Sequence, residues 1–183
     1  MSTSARESRI IRKNILMFTP LLDVLLLSVL VTPLIGLIGR RVKHEKLVVA
    51  AYVTLVLAVS LIMIPMFYQE ILWRDGRVMI NFSPEETFME VNRLSVFMTI
   101  ILFTIGITSS IFSVRESRGV GFTGYYMIFL SMIVAMVGVI FSGSLFTLFI
   151  FWEVMCLCSY TLVAFRKERW EPIEASYKYL IMS

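Results

Sequence analysis

Long apolar runs, separated by short polar stretches, make up most of this chain. The runs cover about 20–38, 47–67, 94–113, 122–141 and 145–165, and another opens near 172 and continues to residue 183. Each complete run is about twenty residues long. A helix of that length, rising ~1.5 Å per residue, crosses the ~30 Å of bilayer hydrocarbon. The pattern predicts an all-α integral membrane protein with five transmembrane helices and the start of a sixth. Residues 1–14 form a basic amino-terminal tail, and 15–183 form the membrane domain. The first apolar run is long and has no small-residue cleavage site, so it reads as an anchor and not as a removable signal.

Local signals mark the ends of these runs. Thr19 and Pro20 suit a cap followed by proline in a first turn, and "GRR" stops the first run after Ile38. Asp23 then lies in an opening turn, where the helix dipole favours an anion. Pro65 falls near the end of the second run, where a lost backbone hydrogen bond costs least. Between the second and third runs, "LWRDGRVMINFSPEETFMEVNR" is too polar for lipid. Its β-prone pieces "RVMINF" and "FMEV" flank the turn-rich "SPEET", which predicts a small extramembrane hairpin.

Composition agrees with this pattern. Hydrophobic residues make up 58% of the chain and charged ones 16%, and the mean hydropathy is +0.83, far from soluble-domain values. The net charge of +4 does not point to nucleic acid, because the basic residues sit in loops between apolar runs and act as topology signals. Lys and Arg number seven on one set of alternate loops and nine on the other, which slightly favours an outside amino terminus. Cys156 and Cys158 are two positions apart on a helix and point in nearly opposite directions, so they read as packing residues and not as a disulfide or metal pair. His44 lies in the basic loop "RRVKHEK" and reads as solvated. No nucleotide-binding glycine motif, CxxC pair or hydrolase elbow occurs, so no cofactor is expected in this chain.

Two charges interrupt the apolar runs. Glu153 is the ninth residue of the fifth run, which places it within ~3 Å of the midplane. An ionised side chain at that depth costs about 2.5–3.5 kcal/mol on insertion scales, and such residues face protein or water and carry function by default. The alternative is a protonated or hydrogen-bonded Glu that holds two helices together. Lys178 enters only ~9 Å from the loop face and follows Glu174 by four residues, in the order that favours local pairing and snorkelling. Glu153 is ~18 Å from the same face along its own helix, so direct contact between Glu153 and Lys178 is not expected. Tyr160 is two helical turns from Glu153 on the same side and close to the depth of Lys178. It reads either as a hydroxyl link between the charges or as a packed ring with a wet tip.

The run "SLFTLFIFWEVMCLCSYTLVAF" followed by "EASYKYLIMS" resembles the antiporter-like subunits of respiratory complex I, membrane-bound hydrogenases and Mrp-type cation/proton antiporters. "MEVNRLSVF" resembles the family's entry into its third helix, with Asn92 where Asp is usual. The resemblance implies that Glu153 belongs to a proton-transfer path and that Lys178 lies on a polar axis through the membrane. Family members have about fourteen helices in inverted repeats, whereas this chain stops inside the sixth, so the missing helices are expected from another chain or from the rest of a longer subunit. The implied partners are other membrane subunits and the lipid bilayer, with no nucleic acid. Iron–sulfur or other redox cofactors are expected in partner subunits, and the setting is a prokaryotic cell membrane or a mitochondrial inner membrane. The leading expectation is a proton- or sodium-translocating subunit of a redox-driven complex, not catalytic by itself. Part of a stand-alone Mrp-type Na⁺/H⁺ antiporter and a truncated structural paralogue are the alternatives.

Overall fold

The computed structural model describes residues 24–38, 45–73, 77–83, 86–116, 122–165 and 170–182. Helix α1 is Val24–Ile38. It is followed by α2 (Glu45–Trp73), strands β1 (Arg77–Ser83) and β2 (Glu86–Asn92), then α3 (Arg93–Glu116), α4 (Phe122–Ile140), α5 (Leu145–Val163) and α6 (Trp170–Met182). The helices α2 to α5 each contain a stretch long and apolar enough to cross a membrane, and α1 is a shorter apolar helix. The start of the first run, Asp23 and His44 lie outside the described residues.

Two helix ends differ from the sequence expectation. Helix α2 continues past Pro65 to Trp73. A proline removes only its own N–H and strains one preceding carbonyl, so a helix whose other bonds are intact can continue beyond it. The end of an apolar run marks the change in polarity, not the last backbone hydrogen bond. Helix α6 begins at Trp170 and not at Pro172. Pro172 is then still in the first turn, where backbone N–H groups have no intrahelical acceptor and proline costs nothing.

Helix α4 is the centre of the bundle. It packs against α2, α3 and α5, and it supplies Tyr126, Phe129, Leu130, Ile133, Val134 and Val137 to a core shared with Leu25, Val49, Val53, Leu57 and Phe103. Close approach depends on absent side chains. A Cβ on Gly36 of α1 would run into Thr123 of α4, and one on Gly138 of α4 would run into the ring of Phe151 on α5. Lipid tails are as apolar as leucine, so membrane helices associate through such small-residue packing and not through hydrophobic burial. The outward faces are correspondingly apolar, with Leu30, Ile62, Phe97, Phe112, Phe146 and Ile181 among the exposed residues.

Helix hydroxyls satisfy themselves along the chain. Thr32 donates to the Ser28 carbonyl at 2.7 Å, Ser60 to Val56 at 2.9 Å and Thr99 to Ser95 at 2.7 Å. This i−4 bonding lets a polar side chain lie in an apolar medium without another partner. Two tyrosines bond between helices instead. Tyr126 donates to the Ser110 carbonyl at 3.2 Å, joining α4 to α3, and Tyr52 to the Ser28 carbonyl at 3.4 Å, joining α2 to α1.

The strands form an antiparallel ladder from the Arg77–Asn92 pair to the Ser83–Glu86 pair, with irregular register after Ile80. Its inner edge is bonded to the turn between α4 and α5: the Glu90 N–H donates to the Phe141 carbonyl at 2.9 Å and the Gly143 N–H to the Phe88 carbonyl at 3.1 Å. The α2–α3 connection and the α4–α5 turn therefore lie at the same end of the bundle. Asn92 then starts α3 with a reciprocal cap. Its Oδ1 accepts from the Ser95 N–H at 2.9 Å, while Ser95 Oγ accepts from the Asn92 N–H at 2.9 Å.

Candidate functional site

The reversal from α4 to α5 is short because its backbone groups find partners nearby. Ser144 is the N-cap of α5, its side chain accepting from the Thr147 N–H at 3.2 Å, and Ser142 Oγ donates to the Val139 carbonyl at 2.8 Å. Phe151 then fits over Gly138 and sets which side of α5 meets α4. Glu153 is two residues further on, about 200° around the helix, so its side chain leaves on the side away from α4.

Counted from Leu145, Glu153 is the ninth of the nineteen residues of α5. It is exposed on the surface of this chain, between the half-exposed Trp152 and Val154. Among the described residues it has no ion-pair or hydrogen-bond partner. The chain buries 44% of the α4 span but only 11% of the α5 span, so the helix carrying the mid-depth carboxylate is the least covered of the four. A carboxylate open to hydrocarbon at that depth is unfavourable by several kcal/mol. The open side of α5 therefore faces protein or water in the membrane.

Helix α6 covers the carboxy-terminal half of α5. The Tyr160 ring meets that of Tyr177 edge-on, with centroids 6.1 Å apart and planes at 60°. Ser159 Oγ lies 3.0 Å from the Tyr179 hydroxyl. Ser176 is fully buried, and its hydroxyl donates to the Ile173 carbonyl at 2.7 Å. Lys178 is two residues from Ser176 and points away from α5. Its Nζ pairs with Glu174 at 2.8 Å, both side chains being more than half exposed. The Tyr160–Tyr177 contact puts Lys178 level with Tyr160, and Glu153 is seven residues, or ~10 Å, further along α5.

The structure thus brings Tyr160 to α6 through Tyr177, pairs Lys178 within its own helix, and leaves Glu153 apart from both. Cys156 is buried and Cys158 half-buried, on different sides of α5. Among the described residues no cluster of His, Cys, Asp or Glu could hold a metal ion. Neither the Ser159–Tyr179 link nor the cap at Asn92 is among the sequence expectations. The first joins residues twenty positions apart and leaves no local pattern. The second was legible, because an Asn-x-x-Ser at the start of an apolar run is a variant of the capping box.

Residues 142–183, from the α4–α5 turn through α6, match the family model described as NADH:quinone oxidoreductase/Mrp antiporter, TM. Over these residues the chain is similar to the antiporter-like family of membrane subunits. NAD(P)H-quinone oxidoreductase chain 5 of Picosynechococcus sp. is 33% identical to it over 92 residues, which are 48% of this chain and 13% of that protein. The chloroplastic NAD(P)H-quinone oxidoreductase subunit 5 of Adiantum capillus-veneris is 32% identical over 78 residues, 41% of this chain and 10% of that protein. The fold recurs in chains of two solved assemblies. A chain of the membrane-bound sulfane sulfur reductase, an archaeal respiratory membrane complex, superposes with a TM-score of 0.75 at 19% identity, covering 88% of this chain and 32% of that one. A chain of respiratory complex I from Thermus thermophilus gives a TM-score of 0.62 at 20% identity, with the same coverage. This chain thus spans about a third of those solved chains and a smaller share of the curated relatives.

Proposed function

We propose that this chain is an ion-translocating subunit, or a portion of one, in a redox-driven membrane complex related to complex I or membrane-bound hydrogenase. The observation that carries the reading is Glu153: a carboxylate at the middle of a candidate span, on the open side of the least covered helix, inside the segment that matches the family. In this reading Glu153 carries the translocated proton, because an ionisable group at mid-depth is what a path through hydrocarbon is built around. Lys178 is a second charge on that path, and Tyr160, level with it, is a hydroxyl that links the two. Other membrane subunits cover the open side of α5, and iron–sulfur or other redox cofactors are carried by partner subunits. With the amino terminus outside, the hairpin and the α4–α5 turn lie on the outer face.

Replacing Glu153 with Gln in the assembled complex tests this. Electron transfer is expected to continue while ion translocation falls by at least tenfold, read by a pH-sensitive dye in vesicles. Unchanged translocation would sink the assignment. A second reading, part of a stand-alone Na⁺/H⁺ antiporter, is favoured by the Mrp half of the family description. Copurification separates the two: redox subunits accompany the chain in the first case and only small antiporter subunits in the second.

A further inference from the structure

Lys178 lies between two tyrosines, and α5 holds both of them with consecutive residues. Tyr160 meets the ring of Tyr177, and Ser159 lies 3.0 Å from the hydroxyl of Tyr179. Ser159 Oγ is also 2.9 Å from the Cys156 carbonyl. A serine hydroxyl has one proton. Ser159 is the donor in both contacts, so that proton is shared between the Cys156 carbonyl and the Tyr179 hydroxyl.

This arrangement fixes how α6 is turned. Ser176 is fully buried, whereas Lys178 and Glu174, each two residues from it, lie about 160–200° away around the helix and are exposed as an ion pair. Turning α6 by one residue, ~100°, would move Lys178 into the place Tyr177 holds against Tyr160, on the side of α5 that also carries Glu153. Apolar surface does not oppose such a turn in a bilayer, because lipid and protein are equally apolar. Packing and hydrogen bonds between helices must do so. The Ser159–Tyr179 pair is a side-chain hydrogen bond that joins α5 to α6.

We propose that Ser159 and Tyr179 are positioning residues whose hydroxyl pair locks the rotation of α6, holding Lys178 beside Glu174 and off the α5 face that carries Tyr160 and Glu153. The lock stands on geometry alone, but its consequence for transport rests on the reading of Glu153 and Lys178 given above. It determines which carboxylate the lysine serves.

Cysteine cross-linking in the full subunit, in its native membrane, tests the lock without reference to transport. Cys156→Ala and Cys158→Ala remove background thiols, and Tyr160→Cys with Lys178→Cys introduces a pair that can bond only if α6 turns, since a disulfide needs Cα atoms about 4.4–6.8 Å apart. With Ser159 and Tyr179 intact, copper phenanthroline is expected to give little cross-link. Tyr179→Phe and Ser159→Ala, made separately from opposite helices, are each expected to raise the yield by about threefold or more, the effect of losing one average interhelical hydrogen bond. Ser159→Thr keeps the hydroxyl and should restore the low yield. Equal yields in all four backgrounds, or a rise in Ser159→Thr matching that in Ser159→Ala, would overturn the lock. If the yields follow the lock while Glu153→Gln leaves translocation unchanged, the positioning inference stands and the transport reading fails.

Discussion

Gly138→Ala is the smallest change expected to alter the setting of Glu153. The added Cβ would fall within the ring of Phe151, on several of its carbons at once. Carbon atoms in ordinary contact are ~3.5–4.0 Å apart. The backbones of α4 and α5 must therefore separate by about an ångström or more, or the Phe151 ring must leave its place. Neither is cheap. Gly138 is buried in the middle of the bundle, and Phe151 packs directly against the core. Overpacking of this kind costs about 1–3 kcal/mol. The small gain in helix propensity of Ala over Gly, up to ~1 kcal/mol, offsets part of it. A net loss of about 1–2 kcal/mol is expected, a factor of roughly 5–30 in the folded ratio. Reversible unfolding in mixed detergent micelles, followed by Trp fluorescence, measures it. Phe151→Ala should itself be destabilising, but the double variant should recover part of the loss, with a coupling of about 1 kcal/mol or more. Two outcomes would refute the reasoning: Gly138→Ala as stable as the parent, or strictly additive losses in the double variant. Either would mean that the ring does not rest on the glycine and that Gly138 does not set the direction of Glu153.

Three further expectations follow from the same geometry. Asn92→Ala removes the side-chain acceptor for the Ser95 N–H and should cost about 0.5–2 kcal/mol in the same unfolding assay, whereas Asn92→Asp, an equally good cap, should stay within about 0.5 kcal/mol of the parent. Tyr126→Phe deletes the bond to the Ser110 carbonyl while keeping the ring, and should cost about 0.6 kcal/mol, the average for a hydrogen bond between membrane helices; a loss above about 2 kcal/mol would show that the ring was displaced as well. Gly143→Pro removes the donor to the Phe88 carbonyl, so hydrogen exchange at the Glu90 amide, which bonds to Phe141 in the same clasp, should accelerate at least tenfold; unchanged exchange would mean that the turn does not hold the hairpin.

Apolar run length by itself determined the all-helical membrane class and the approximate course of α2 to α5, because spanning hydrocarbon imposes both a length and complete backbone hydrogen bonding on any segment. It also singled out Glu153, since a carboxylate at mid-depth is costly whatever surrounds it. The sequence was less informative about helix ends. Pro65 and Pro172 look like boundaries in the sequence, yet α2 runs through the first and α6 starts before the second. Rotation about each helix axis was beyond reach. Nearly every side of α5 is apolar, so its composition does not show that Phe151 sits over Gly138 or that Glu153 is directed away from α4. Nor does the spacing of Lys178 from Glu174 reveal that Tyr177 and Tyr179 hold the lysine on the far side of α6. Those directions are set between helices, where a missing Cβ and one pair of hydroxyls decide what a uniformly apolar surface leaves free.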